Sequence, residues 1–356
     1  MELALYCPIH GYYEKQKDNV GRGGDFITSV STGKLFGELL AYQFADWLEE
    51  EAGSQQPAVR IVEAGAHDGK LAADILGWLR AERPKLFDRL DYCLIEPSAS
   101  RQEWQRKTLK TFSPRVRWFA NLATMVVPEA VKSKPDPLRG IIFANELLDA
   151  FPVHRFGWDA PTRTWFEWGV AVDGDQFKWA KIQPAAGRSE GPAAEPGAAS
   201  FQLPAALLEV LPDGYTVETS PAAERWWQEA AGVLERGKLM TIDYGFSDDE
   251  QISPARTHGT LRAYHRQRSS SDLLANPGEQ DLTAHVNFSA MRKAGEAAGL
   301  KTDGFSTQAK FLTQILEKCT RDENFGGWPP ARTRQFQTLT HPDHLGRAFR
   351  VLIQSR

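Results

Sequence analysis

Three cysteines in 356 residues, Cys7, Cys93 and Cys319, show neither a CxxC spacing nor an even count. A disulfide framework is therefore excluded, no zinc motif is present, and unpaired thiols in a reducing compartment follow; no metal is assigned. An excess of positive charge is missing too: 42 Lys and Arg stand against 46 Asp and Glu, a formal net charge of −4. Such a chain has no basic field for gripping phosphates, which argues against nucleic acid as a partner. No apolar run approaches the roughly 20 residues of a membrane helix, and Met1–Tyr13 lacks a basic region followed by an apolar stretch. The expectation is a soluble cytoplasmic protein without membrane insertion.

Apolar residues at 42% and charged residues at 25% suffice for a large buried core. The strongest interruption is Pro184–Ser200, PAAGRSEGPAAEPGAAS, which reads as a flexible surface loop. Before it, Val153–Trp158, Thr164–Val172 and Gln176–Lys181 are rich in aromatic and β-branched residues, and Asp173-Gly174 signals a hairpin, so an antiparallel insertion is predicted. Upstream of Ala150, strands at Val59–Ala64, Tyr92–Ile95, Val116–Phe119 and Gly140–Ala144 alternate with helical patterns such as Leu71, Ile75, Leu76 and Leu79. Alternation of this kind predicts an α/β, doubly wound parallel sheet with helices on both faces. Downstream, Pro221–Leu234 reads as a helix, Lys238–Ile242 as a strand, Asn287 as the N-cap of a helix to Ala298, and Phe349–Ile353 as a last strand. The predicted division is an N-terminal segment 1–56 that covers the ligand, a ligand-binding core of 57–150 and 236–356, and an inserted substrate-side β/helical subdomain 151–235.

Ligands of open α/β sheets bind beyond the carboxyl ends of the strands, where strand order reverses. The first strand runs into Glu63-Ala64-Gly65-Ala66-His67-Asp68-Gly69, with a helix from about Lys70. Gly65 and Gly69 permit a tight turn and close ligand approach, and the helix start offers free N–H groups; a purely structural turn is the alternative. The second strand ends at Glu96-Pro97, where a carboxylate can accept both hydroxyls of an adenosine ribose; a solvated strand-end glutamate is the alternative. A dinucleotide fingerprint needs glycine where His67 stands, to admit pyrophosphate. S-adenosylmethionine carries no pyrophosphate, and its amino-acid end suits the turn amides and Glu63, so it is the expected cofactor ahead of a nicotinamide. The fourth strand delivers Asn145, Glu146 and Asp149 to the position of the transferred methyl. If that segment turns helical, the two acids share a face; a helix-capping pair is the other reading.

These residues lie in segments that resemble the MidA-like family of methyltransferases. The matching segments are GYYEKQKDNVGRGGDFITS (Gly11–Ser29), LFGELLAYQFADW (Leu35–Trp47), VEAGAHDGKLAADIL (Val62–Leu76), FANELLDAFPVHRF (Phe143–Phe156), MTIDYG (Met240–Gly245), GTLRAYHRQR (Gly259–Arg268), NPGEQDLTAHVNFS (Asn276–Ser289) and STQAKFL (Ser306–Leu312). They span nearly the whole chain. The family includes an assembly factor of mitochondrial complex I that methylates an arginine of a complex I subunit. The resemblance implies a Rossmann-like methyltransferase core and a cover over the cofactor from Gly24-Asp25-Phe26 and Thr28-Ser29. It further implies a methionine-side turn at Gly65, Ala66, His67 and Gly69, a ribose site at Glu96-Pro97, and an adenine flanked by Asn121-Leu122. Two departures stand out. The turn reads GAHDGK where the family has GPGRGT or GxGxGxL, and Met1 opens the chain at MELALY, before which the family carries a helical segment. The family also has Asp where Asn287 stands, an exchange that keeps an N-cap and removes a charge. His285 joins Glu146 and Asp149 as a catalytic candidate, with a buried, hydrogen-bonded histidine as the alternative; His265 is read in the same two ways.

Methyl transfer from a sulfonium is an in-line displacement, so most of the acceleration can come from positioning. A guanidinium acceptor needs carboxylates to orient it and offset its charge, a role open to Glu146 and Asp149. The expected activity is methylation of a protein arginine. A small-molecule O- or N-methyltransferase with an acceptor pocket lined by Trp158, Trp165 and Trp168 is one alternative, and a cofactor-binding assembly factor with little catalysis another. The expected partner is a protein substrate, with a respiratory-complex subunit as candidate and a homodimer as the assembly.

Overall fold

The computed structural model describes residues 1–15, 28–51, 59–126, 138–182, 205–265, 268–321, 325 and 327–356. The expected loop 184–200 and Gly24, Asp25 and Phe26 lie outside these described residues. In chain order the first elements are α1 (Glu2–Tyr6), α2 (Leu35–Glu51), β1 (Val59–Ala64), α3 (Lys70–Glu82), α4 (Pro84–Phe87), β2 (Leu90–Ile95), α5 (Ala99–Thr108), β3 (Val116–Phe119), α6 (Leu122–Val126) and β4 (Leu138–Asn145). Next come β5 (His154–Asp159), β6 (Thr164–Asp173), β7 (Gln176–Ile182), α7 (Ala205–Leu208), β8 (Thr216–Thr219), α8 (Pro221–Val233) and β9 (Leu234–Phe246). The last are β10 (Arg262–His265), β11 (Arg268–Ser270), β12 (Asp281–Thr283), β13 (Val286–Asn287), α9 (Phe288–Ala297), β14 (Lys301–Thr307), α10 (Gln308–Cys319), α11 (Pro330–Thr340) and β15 (Phe349–Ser355).

The main sheet has the order β14-β15-β9-β4-β1-β2-β3, with β13 added beside β9. Strands β3, β2, β1, β4 and β9 are parallel, whereas β15 runs antiparallel to both β9 and β14. The chain therefore leaves β1 toward β2 and β3, then returns across β1 to β4 and β9, and strand order reverses between β1 and β4. Ala64 pairs with both Ile95 and Ala144, and Asn145 pairs with Ile242. This register sets Gly65, Glu96, Glu146 and Asp243 along one edge, which is why the candidate site forms there.

Burial on both faces explains the continuous apolar strands. Ile61, Tyr92, Ile141, Phe143 and Met240 join the core that includes α2, α3, α10 and α11. Their neighbours Val62, Cys93, Ile142 and Leu239 join the opposite core, with α6, α8 and α9. The helical spacing read at Leu71, Ile75, Leu76 and Leu79 is the buried face of α3. Asn287 does cap α9, its Oδ1 accepting the Ala290 N–H at 3.1 Å.

The predicted insertion is an antiparallel sheet, β7-β6-β5-β8, with Gly174 at φ +59° in the tight turn where Asp173 pairs with Gln176. It has its own small core of Phe156, Trp158, Leu211, Tyr215 and Val217. Its separate packing ends at β8, short of the expected boundary at 235. Helix α8 starts from Ser220, whose Oγ accepts the Ala223 N–H, and buries Trp227, Ala230 and Ala231 on the main sheet. Helix α2, expected within an N-terminal cover, is likewise a core helix packed on α3. A third sheet, β11-β10-β12, buries Ala263 and Leu282 against Leu5, Tyr12 and Ala150, so residues 1–15 pack there. The three cysteines form no disulfide, and among the described residues no helix is long and apolar enough to cross a membrane.

Candidate cofactor and methyl-transfer site

The carboxyl ends of β1, β2, β4 and β9 open into one cavity of about 1690 Å³. Gly65, His67 and Gly69 have φ of +74°, +47° and +81°. Three left-handed residues in five turn the chain sharply enough for α3 to begin at Lys70; the Lys70 N–H donates to Asp68 Oδ1 at 3.1 Å, and Gly69 at the N-cap has no side chain to take up the N–H groups that follow. Gly65, Ala66, His67, Lys70 and Leu71 line the cavity, while Gly69 stands behind them with its N–H on Ala66 O at 2.7 Å. A Cβ on Gly65 would lie 2.8 Å from Leu147 Cδ1. The glycine is thus required by the turn and its packing, not by ligand approach alone.

Glu63, buried at the end of β1, accepts the Tyr92 hydroxyl on Oε2 at 2.6 Å, and burial pushes its pKa up to about 7. Across the strand reversal, Asn145 Nδ2 donates to Glu146 Oε1 at 3.1 Å while its buried Oδ1 accepts nothing. A buried carboxyl and an orphaned amide oxygen at adjoining strand ends fit the ammonium group of S-adenosylmethionine. Glu96 is not a solvated strand end: its Oε1 accepts from Ser98 N–H (3.0 Å) and Arg101 Nε (2.9 Å), and Oε2 from Gln105 Nε2 (3.1 Å). Only Oε2 keeps an acceptor position, so this carboxylate can take one ribose hydroxyl rather than the two expected. Pro97 lies exposed beside it on the cavity rim. Asn121 and Leu122 also line the wall, Asn121 Oδ1 being engaged by the Thr124 N–H at 2.9 Å. Thr28 lines the cavity and Ser29 does not; the Ser29 N–H donates to Glu146 Oε1 at 3.3 Å and its Oγ to Gln308 Oε1 at 3.0 Å.

The acceptor half is acidic. Glu146 follows β4 at φ +51°, its N–H on Ile242 O at 2.9 Å, and Leu148–Ala150 forms one 3-10 turn. Neither a shared helical face nor a capping pair is therefore present. The acids converge because the chain folds over Asp243, whose Oδ2 accepts the N–H groups of Leu147 (3.2 Å), Leu148 (2.8 Å) and Asp149 (3.4 Å). Asp281, at the start of β12, completes the group and accepts the Tyr13 hydroxyl on Oδ1 at 2.7 Å. Burial, followed by the charge of Asp243, pushes Glu146 up to about 8; the same causes and Asp281 hold Asp149 well above the usual carboxylate range. Asp243 is pushed up to about 7 by burial, against the backbone donors that oppose it. No Lys or Arg among the described residues forms an ion pair with Glu146, Asp149 or Asp243. Among the same residues, no set of three or more His, Cys, Asp or Glu side chains could hold a metal ion.

His285 lines the cavity too, its ring centroid 6.3 Å from that of Phe246 and its backbone N–H donating to Thr260 Oγ1 at 3.1 Å. Desolvation, then Arg256 and Arg262, pushes it down to about 4, so it is a neutral imidazole there. His265 lies outside the cavity, Nδ1 3.1 Å from Glu279 O. Trp158, Trp165 and Trp168 pack within the insertion, apart from this cavity, and form no acceptor pocket in it. Sequence reading assigned no role to Asp243, Asp281, Tyr13 or Tyr264. The signal was present in the quoted segments MTIDYG, DLTAHVNF, GYYEK and GTLRAYHRQR, but their convergence is set by pairing across distant parts of the chain.

A doubly wound sheet whose first strand breaks through a glycine turn into a helix, with acidic groups at the ends of β1 and β2 and an orphaned amide at the end of β4, defines an S-adenosylmethionine-dependent methyltransferase. Residues 39–306 match the family described as "Putative S-adenosyl-L-methionine-dependent methyltransferase", and the chain belongs to that family. It is 28% identical over 381 residues to the mouse protein arginine methyltransferase NDUFAF7, mitochondrial, covering 98% of this chain and 78% of that one. The Drosophila melanogaster homolog is 27% identical over 386 residues, with 99% and 79% covered. A solved Burkholderia thailandensis structure, described as a "likely methyl transferase" and bound to S-adenosyl-homocysteine, shares 31% identity with a TM-score of 0.79 over 100% of this chain and 86% of that one.

Proposed function

We propose that the acceptor is an arginine side chain of a protein. The observation that carries this reading is the buried group Glu146, Asp149 and Asp243, raised in pKa and without a cationic partner among the described residues, at the carboxyl ends of β4 and β9. Buried carboxyls of this kind favour a cationic guest, since a guanidinium returns them to the ionised form and is held by several charge-assisted hydrogen bonds. The relatives named as protein arginine methyltransferases support the same reading.

When bound, S-adenosylmethionine supplies an electrophilic methyl on a sulfonium. Glu63 and Asn145 hold the ammonium, Glu96 one ribose hydroxyl, and the N–H groups at the start of α3 the carboxylate. Asp243 fixes the backbone at Leu147–Asp149, and so the side chain of Asp149, while the Ser29 N–H and Asn145 Nδ2 hold Glu146. Those two carboxylates turn a guanidinium nitrogen toward the methyl, offset the charge, and take up the proton that the nitrogen loses. The enzyme incubated with methyl-labelled cofactor and lysate should label protein, and hydrolysis should release methylated arginine. Label confined to small molecules, or to another amino acid, removes the arginine reading. The labelled protein also tests the proposal that the partner is a respiratory-complex subunit. Cytoplasmic residence and a homodimer are further proposals, checked by fractionation and light scattering.

A further inference from the structure

Beyond the acid group, the same cavity carries positive charge that no part of the reaction uses. Arg262 and Tyr264 alternate with the buried Ala263 on β10, and in the β10–β12 register they face Thr283 and Asp281; all four line the cavity. One face of this small sheet thus has an acidic end at Asp281 and a basic end at Arg262, about 7 Å apart along the strand. Among the described residues, Arg262 donates only to its neighbour's carbonyl, Leu261 O, at 2.8 Å. Arg256 joins it from the turn Pro254–Arg256, its guanidinium 5.2 Å above the Phe246 ring that also neighbours His285. Arg256 Nε and Nη2 are buried with no acceptor. The ring contact satisfies the face of a guanidinium, whereas these donors point in its plane and need an anion or carbonyl. No carboxylate among the described residues forms an ion pair with Arg256 or Arg262. Arg256, Arg262 and His285 all line this cavity, with Phe246 the shared neighbour of Arg256 and His285.

A lone cationic acceptor would be repelled by this corner while being drawn to the acids. A segment that carries both signs meets complementary charge at both ends. We propose that Arg256 and Arg262, beside His285, form a carboxylate-binding subsite that reads an aspartate or glutamate of the acceptor protein within two residues of the methylated arginine. The spacing follows from the sheet: 7 Å is the distance between residues i and i+2 of an extended chain. This inference rests on the arginine reading of the acid group.

The test uses dye-labelled nine-residue peptides and the full chain loaded with S-adenosylhomocysteine. The peptides have Arg or Gln at the centre and Glu, Gln or phosphoserine two residues away. With Arg at the centre, the Glu peptide should bind wild type roughly tenfold tighter than the Gln peptide, as one charge-assisted pair allows. Arg262→Gln and Arg256→Gln should each bring that ratio toward one, Arg256→Lys should keep part of it, and the affinity for S-adenosylhomocysteine should be unchanged. Arg262 serves if Arg256→Gln does not fold, because that residue is only half-buried and its bond goes to the neighbouring Leu261 carbonyl. Equal binding of Glu and Gln peptides to wild type overturns the subsite. Tighter binding of phosphoserine than Glu overturns the carboxylate assignment, and a loss of S-adenosylhomocysteine affinity in both variants reassigns the pair to the cofactor. A Glu preference that persists when the central Arg is Gln, with no preference for Arg itself, removes the arginine reading while the subsite stands.

Discussion

Glu146 and Asp149 are held in place by different means, and this separates what their substitution should do. Asp149 belongs to a turn whose amides are fixed by Asp243, so its side chain can change without releasing the backbone. Asp149→Asn should therefore lower kcat/KM for the acceptor by about 10²-fold, the scale of a misplaced reactant, while S-adenosylhomocysteine affinity by calorimetry stays near wild type. A lower melting temperature with an intact rate per folded molecule would make Asp149 structural. Glu146 carries the pH dependence. Its folded pKa of about 8 lies above the ordinary 4.5, so the protonated form is the one the fold accommodates. Its contribution to stability is complete below about pH 4.5 and is lost as pH rises toward 8, by at most about 1.4 kcal/mol per pH unit for one proton. Denaturant unfolding should show Glu146→Gln gaining on wild type between pH 5 and 8; a constant difference across that range contradicts the buried carboxyl. Acceptor binding has the opposite slope, because a guanidinium needs the ionised form, so kcat/KM should rise from pH 6 to 8.

The turn between β1 and α3 shows how an element can be recognised correctly for an incomplete reason. Its glycines give both a tight turn and room for a ligand, and Gly65, at a φ of +74°, answers as well to the packing of Leu147. Gly65→Val should therefore abolish cofactor binding and also destabilise the fold, by about 2–4 kcal/mol from left-handed strain and overpacking together. Unfolding of the variant by denaturant and calorimetric titration with S-adenosylhomocysteine measure the two effects; full stability with lost binding would restore the simpler explanation. Helix α8 is the converse case. Its start at Ser220-Pro221 is legible from capping chemistry, but its place is not. An apolar face with Trp227 suits any core; its packing with Ile142, Leu239 and Leu352, and the Trp227 Nε1 hydrogen bond to Gln354 on β15, 2.7 Å long, show which sheet it covers.

At the scale of the molecule, the cavity is bounded by the main sheet, by the N-terminal residues Tyr6 and Tyr13, and by the small sheet β11-β10-β12. Tyr6 donates to Ala150 O at 3.0 Å and Tyr13 to Asp281, so ligand binding reaches parts far apart in sequence. S-adenosylhomocysteine at about 100 times its Kd should stabilise the chain by roughly 2.7 kcal/mol. Hydrogen exchange should then slow at the Gly65–Gly69 turn and also at 262–265 and 281–283; protection confined to the turn would mean that the acceptor half folds independently of the cofactor half. The alternating strands and helices, the hairpin at Asp173-Gly174, the cap at Asn287 and the acids ending β1, β2 and β4 were all determined by local sequence, because they depend on periodicity, turn chemistry and spacing within a few residues. Asp243 beside Glu146, Tyr13 on Asp281 and the facing charges of Asp281 and Arg262 were decided only by tertiary structure. Each joins residues brought together by strand pairing or packing, and their shared burial, which no local pattern encodes, is what raises the carboxyl pKa values and leaves a place for a cation.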